Sequence, residues 1–199
     1  PQKDFAPISM VSASPLILCV HPSLPPKSTK ELIALARQHP GELYFPSAGN
    51  GTSMHLASEL FNMMTGIKTN HVPYKGSGPG VLDLVSGRLQ FMLNPMPEPV
   101  SFIQSGKLRA LATSTAKRIS ALPDLPPVAD AVPGYEVLTW QGFVAPAGTP
   151  AEIINRLNSE LLKALKNPEF ETRMRGMGLE LYGTTPDQFA QFIRDEHAK

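Results

Sequence analysis

Ser47-Ala-Gly-Asn-Gly-Thr-Ser53 follows the strand-like run Glu42-Leu-Tyr-Phe-Pro46 and opens the helix-like run from Met54 to Met64. A glycine-rich loop at a strand-to-helix junction lets backbone N–H groups converge where the helix dipole is positive. Gly49 and Gly51 permit unusual dihedrals and close approach, and Ser47, Thr52 and Ser53 bring hydroxyl groups. That is the chemistry of a seat for a carboxylate or phosphate. The alternative reading is an ordinary turn with a helix cap.

Working outward, strand and helix signals alternate. Leu16–Val20 reads as a buried strand, and Ser28-Thr-Lys-Glu31 as a capping box whose helix stops near His39-Pro-Gly41. After strand 42–46 and helix 53–64 come strand 69–73, the turn Lys75-Gly-Ser-Gly-Pro-Gly80 and helix 80–86. Strand 89–93, a short helix near 97–104 and strand 108–113 complete the series. The alternation predicts an α/β fold with βαβ units and a mostly parallel sheet.

Residues 117–138 break the rhythm with Pro123, Pro126, Pro127 and Pro133, and lead into the strand-like Tyr135–Trp140. Beyond lie two more capping boxes, Thr149-Pro-Ala-Glu152 and Thr185-Pro-Asp-Gln188. The first opens a helix with an apolar stripe at Ile153, Ile154, Leu157, Leu161 and Leu165, and the second one with Phe189, Phe192 and Ile193 on one face; both read as core contacts. Only weak strands, near 141–145 and 179–182, accompany these helices, which implies a partner layer supplied from elsewhere.

Composition narrows the function. Eighteen Lys+Arg against 17 Asp+Glu in 199 residues, with no basic block, give no footprint for nucleic acid. No apolar run approaches the roughly 18 residues that a bilayer span requires, so the chain reads as not membrane-inserted. The single Cys19 sits in a strand-like apolar run and reads as a small hydrophobe. His21, His39, His55, His71 and His197 lack metal-ligand spacing, and no cofactor loop is complete. His55, one turn past the glycine loop, and His71, on the next strand, are the two placed to matter. Lys75 reads either as the balance to an anionic ligand or as a solvated surface lysine. Gly51-Thr-Ser53-Met-His55 nearly spells a nucleophile elbow, but its last small position is His55; a serine esterase-like α/β hydrolase using Ser53 is the alternative to a binding protein. With no nucleophile in full context, no metal and no acid–base pair, the site reads as built to hold rather than to react.

The motifs together resemble one family. Ser47–Ser53, His71-Val-Pro-Tyr-Lys-Gly76, Lys107-Leu-Arg-Ala-Leu-Ala112, Pro133-Gly-Tyr-Glu-Val137 and Trp140-Gln-Gly-Phe-Val-Ala-Pro-Ala-Gly-Thr-Pro150 occur in order along the chain. They are similar to those of the Bug (TctC-like) periplasmic solute-binding receptors of tripartite tricarboxylate transporters. The resemblance implies a two-lobed periplasmic-binding-protein fold (Venus-flytrap, type II-like), with ligand between the lobes. Residues 11–138 would form the second lobe, and 1–10 with 139–199 parts of the first. Such chains begin with a signal peptide and an N-terminal βαβ portion; neither is read here, so an N-terminally truncated chain with an incomplete first lobe is expected.

The implied function is extracytoplasmic: capture of a small organic carboxylate for membrane transporter subunits, without chemistry or cofactor. The positions matching the family's binding loop are Ser47, Ala48, Gly49, Asn50, Gly51, Thr52 and Ser53; His55, Tyr74, Lys75 and Asn94 are the further candidates. Asn94 stands where the family often carries Asp, which implies weaker selection for an amine-bearing ligand. Trp140, the sole tryptophan, falls at the expected crossing between lobes.

Overall fold

A computed structural model describes residues 2–119, 122–176 and 178–198. Residues 120 and 121 of the proline-rich return therefore lie outside the described part. The chain divides into two compact units, one made of residues up to Ser14 together with those from Trp140 onward, the other of Pro15–Thr139. Strand β1 (Phe5–Val20) and strand β6 (Leu138–Pro146) run through both crossings.

In the second unit, β1 contributes Leu16–Val20, all fully buried. Successive strand side chains point to opposite faces. Leu16, Leu18 and Val20 accordingly enter one core with Phe45, Phe61, Phe91 and Leu93, while Ile17 and Cys19 enter a second with Met54, Leu84 and Met92. A strand covered on both faces reads as a continuous apolar run, which is why these five residues are legible in the sequence. Burial pushes the Cys19 thiol well above its ordinary range, in keeping with a packed, inert side chain.

The expectation of a mostly parallel sheet is corrected here. Strands β4 (Phe91–Pro95) and β5 (Arg109–Thr113) flank β1, and both pair with it antiparallel. The helix α4 (Val100–Gln104) links two strands of the same direction, but β1 has entered between them. The true βαβ unit is β2 (Tyr44–Ser47), α2 (Ser53–Thr65) and β3 (Asn70–Pro73), with β2 and β3 parallel. Gln90 ties β2 to the start of β4: its N–H donates to Tyr44 O (3.1 Å) and its Oε1 accepts from Tyr44 N–H (2.8 Å). The carboxyl ends of β2, β3 and β4 thus share one edge, which carries loop 47–53, turn 74–76 and Asn94.

Local signals account for the helices of this unit. Helix α1 (Thr29–Gln38) is capped by Ser28, whose Oγ accepts from Glu31 N–H at 3.2 Å; Glu31 in turn reaches Lys27 N–H at 2.8 Å, one residue before the usual target. Helix α3 (Ser77–Val85) begins three residues earlier than the sequence indicates. The irregular return buries Tyr135, whose hydroxyl donates to Ala57 O (2.9 Å) and whose ring meets Phe61 edge-on. Tyr135→Phe should lower stability by about 1 kcal/mol, read as a shift in urea midpoint at unchanged slope.

In the first unit, β1 pairs with β6 and with the two-residue β7 (Glu180–Leu181). The polar character of this half of β1 conceals it in the sequence, yet its serines are satisfied: Ser9 Oγ donates to Thr184 O (2.9 Å) and Ser12 Oγ to Gln141 Oε1 (2.7 Å). Helix α5 (Ala151–Leu165) corrects the predicted stripe. Ile154 is buried and Leu161 packs with it, but Ile153 and Leu157 are 49% and 43% exposed. The inward row is Ile154, Asn158, Leu161; the buried amide of Asn158 donates to Ile8 O and Thr184 O, both at 2.8 Å, so a polar core residue hides the phase. The Thr149 capping box does not form, because Pro150 precedes the helix and Thr149 Oγ1 donates to Pro146 O instead. The Thr185 box forms reciprocally: Gln188 N–H donates to Thr185 Oγ1 (3.2 Å) and Thr185 N–H to Gln188 Oε1 (2.9 Å). It opens helix α7 (Pro186–Ala198), whose Phe189 and Phe192 meet Trp140 edge-on. Helix α6 (Pro168–Gly176) completes the unit. No described helix is long and apolar enough to cross a membrane.

Candidate functional site

The loop leaving β2 turns the Gly49 carbonyl inward. Gly49 sits at φ +129° and Gly51 at φ +78°, a region that side-chain-bearing residues rarely adopt. Gly49 O accepts from Thr52 Oγ1 (2.7 Å), Ser47 Oγ (3.0 Å) and Thr52 N–H (3.3 Å). Ser47 Oγ also accepts from Gly49 N–H (3.0 Å), and Gly51 N–H donates to His55 Nδ1 (3.1 Å). The N–H groups of Asn50, Ser53 and Met54 are left with no partner among the described residues. They stand at the positive end of a 13-residue helix that has no side-chain cap. This geometry suits a carboxylate or phosphate oxygen.

The hydroxyls divide by role. Ser47 is fully buried, and its proton, like that of Thr52, serves the loop itself. Ser53 accepts from Thr139 Oγ1 at 3.1 Å. Ala48 accepts from Gly76 N–H (3.2 Å) and Ser47 O from Tyr74 N–H (3.0 Å), so the backbone of turn 74–76 braces the loop. Asn50 and Lys75 are exposed beside these elements.

One candidate faces elsewhere, and another is tied by its amide nitrogen at a strand end. The Tyr74 hydroxyl donates to Asp83 Oδ2 (2.6 Å); burial and this bond push it up to about 12, while the same bond, with Arg88 at 2.9 Å, holds Asp83 below the usual carboxylate range. Tyr74 therefore contributes backbone rather than phenol to the site. Asn94 is buried at the end of β4, and its Nδ2 donates to Glu98 Oε2 (3.1 Å). Glu98 also accepts from Ser77 Oγ (2.7 Å), a tie between strand end and α3 that sequence reading missed.

Beneath the loop, His55 and His71 stack with ring centroids 4.1 Å apart, and His71 stacks in turn on Phe45. With the Ser47 proton on Gly49 O, His71 Nε2 is the donor to Ser47 Oγ at 2.5 Å. Burial, then the neighbouring His55, lowers the His71 pKa from its ordinary 6.5; Glu59 opposes this in part. The folded state thus favours neutral His71, whereas the unfolded chain takes up the proton more readily. Its contribution to stability is full above pH 6.5 and is lost as pH falls through the lower folded value. Thermal melts should show this loss on acidification, and His71→Gln should flatten it.

A hydrolytic role for Ser53 needs a histidine at its Oγ. The four histidines of this unit are engaged elsewhere: His21 with Ser23, His39 with Glu42, His55 with Gly51 and His71 with Ser47. No group of three metal-ligating side chains occurs among the described residues.

The fold is that of the α/β periplasmic binding proteins, and solved structures superpose on nearly all of the chain. Rpa4515 of R. palustris, determined with adipate, shares 38% identity at a TM-score of 0.89, over 98% of this chain and 66% of that one. MatC (Rpa3494) from Rhodopseudomonas palustris, with bound malate, shares 29% at a TM-score of 0.89, over 98% of this chain and 68% of that one. The chain belongs to the tripartite tricarboxylate transporter family of receptors (TctC), whose profile matches residues 1–199. Protein BugT of Bordetella pertussis is 37% identical over 195 residues, covering 98% of this chain and 60% of that protein. The UPF0065 protein of the tcbD-tcbE intergenic region of Pseudomonas sp. (strain P51) is 37% identical over 196 residues, covering 98% and 58%. The chain thus spans about three fifths of the length of these curated relatives.

Proposed function

We propose that this protein is an extracytoplasmic receptor that binds a small organic carboxylate, unchanged, at the loop 47–53 and presents it to a tripartite tricarboxylate-type transporter in the membrane. The observation that carries the reading is the inward-turned Gly49 carbonyl, which leaves the Asn50, Ser53 and Met54 N–H groups unspent at a helix start. Adipate and malate in the related structures are carboxylates, the charge class that such a seat accepts. Pro15–Thr139 is then the lobe that supplies the loop. Of the candidate side chains, Lys75 offers long-range charge, and Asn94, an amide rather than a carboxylate, disfavours an ammonium-bearing ligand relative to a plain acid. Periplasmic residence follows from the same reading.

A thermal-shift screen against mono-, di- and tricarboxylates, amino acids and inorganic phosphate tests it. A ligand at about 100 times its Kd adds about 2.7 kcal/mol to the native state, a readily measured rise in Tm. A rise with one or more carboxylates is expected. A rise with phosphate alone, or with none of these compounds, would overturn the proposal.

A further inference from the structure

We infer that Thr139 is a positioning residue for the ligand, acting through Ser53; the inference rests on the carboxylate-binding reading above. The loop holds three hydroxyl groups, and two have already placed their protons: Ser47 Oγ and Thr52 Oγ1 both donate to Gly49 O. Ser53 differs. It receives a proton from Thr139 Oγ1 at 3.1 Å, and its own O–H has no acceptor among the described residues. A hydroxyl that accepts one bond has its remaining donor direction narrowed, because donor and lone pairs share one tetrahedral oxygen. Thr139 thereby holds the Ser53 oxygen at the first turn of α2, beside the Ser53 and Met54 N–H groups, with the Ser53 proton free for an anion.

Thr139 comes from far along the chain. It is the second residue of β6 and lies 86 positions from Ser53. Thr139 belongs to a strand and not to the loop it contacts, so the loop's one uncommitted hydroxyl is oriented from outside the loop. Valine has the shape of threonine without the donor; serine keeps the donor and loses only a methyl group. The two substitutions therefore separate the hydrogen bond from packing.

Calorimetric titration with succinate, malate and adipate on wild type, Thr139→Val, Thr139→Ser, Ser53→Ala and the Ser53→Ala/Thr139→Val double variant tests the inference. Ser53→Ala is expected to weaken the best-bound acid by about ten- to hundredfold, since a bond to a charged group is lost. Thr139→Val should weaken it by about three- to tenfold, Thr139→Ser should restore it, and Thr139→Val should add nothing once Ser53 is alanine. Wild-type affinity in Thr139→Val, or an equal loss in both backgrounds, would overturn the role of Thr139 and leave the carboxylate site standing. If the wild type binds none of the three acids, the binding reading falls and this inference falls with it.

Discussion

Gly142→Ala should destabilise the first unit by about 3 kcal/mol, an effect at the upper end of overpacking changes. Gly142 lies in β6 against the Phe189 ring, and an added Cβ would come within 2.1 Å of Cζ and 2.6 Å of Cε1. Phe189 is 1% exposed and meets Trp140 edge-on at 5.7 Å, so the ring is enclosed by packed neighbours. Either β6 or α7 has to shift, and the aromatic group of Trp140, Phe189 and Phe192 moves with it. Trp140 is the sole tryptophan, so urea melts followed by its emission report this unit directly. A midpoint equal to that of wild type would contradict the packing described. Phe189→Leu in the Gly142→Ala background should recover part of the loss, because the shorter side chain vacates the positions that the Cβ needs.

The second large effect is on binding. Gly49→Ala should weaken carboxylate affinity by about ten- to hundredfold, which corresponds to a backbone strain of about 1–3 kcal/mol. The cause is conformational: at φ +129° an L residue is strained, although the nearest atom to a Cβ there, Tyr74 O, is at an ordinary 3.5 Å. Relaxation of that strain turns the Gly49 carbonyl away from Ser47 and Thr52 and takes the Asn50 and Ser53 N–H groups out of alignment. Gly78→Ala is the control. Gly78 has neither a positive φ nor an atom within 4 Å of its Cβ position, so its affinity should match wild type. Equal behaviour of the two variants would show that the Gly49 conformation does not shape the site.

Where the physics is local, the sequence showed the structure plainly. The Leu16–Val20 run, the Ser28 and Thr185 caps and the strand–loop–helix around Gly49 all depend on neighbours a few residues apart. Long-range pairings left no such trace. The insertion of β1 between β4 and β5 is invisible to the alternation of elements, which then reads as a parallel sheet. Asn158 occupies a core position because two carbonyls across the fold, Ile8 O and Thr184 O, satisfy its amide; without them, Ile153 and Leu157 look like the buried face. In the site, the residue types were legible but their duties were not. Ser47 and Thr52 look like ligand donors in a hydroxyl-rich loop, and only the position of Gly49 O shows that they hold the loop together. Tyr74 is similar: it lies nine positions before Asp83, and their hydrogen bond removes its phenol from the site.

The N–H groups at the start of α2 are the proposed seat of a carboxylate. The most direct test is a titration of ¹⁵N-labelled protein with adipate, followed by backbone amide resonances. The Asn50, Ser53 and Met54 amides should move most and saturate together, while amides remote from the loop, such as those of Arg37 and Ser105, stay in place. Saturating shifts centred on another part of the chain, with these three amides unmoved, would contradict the account.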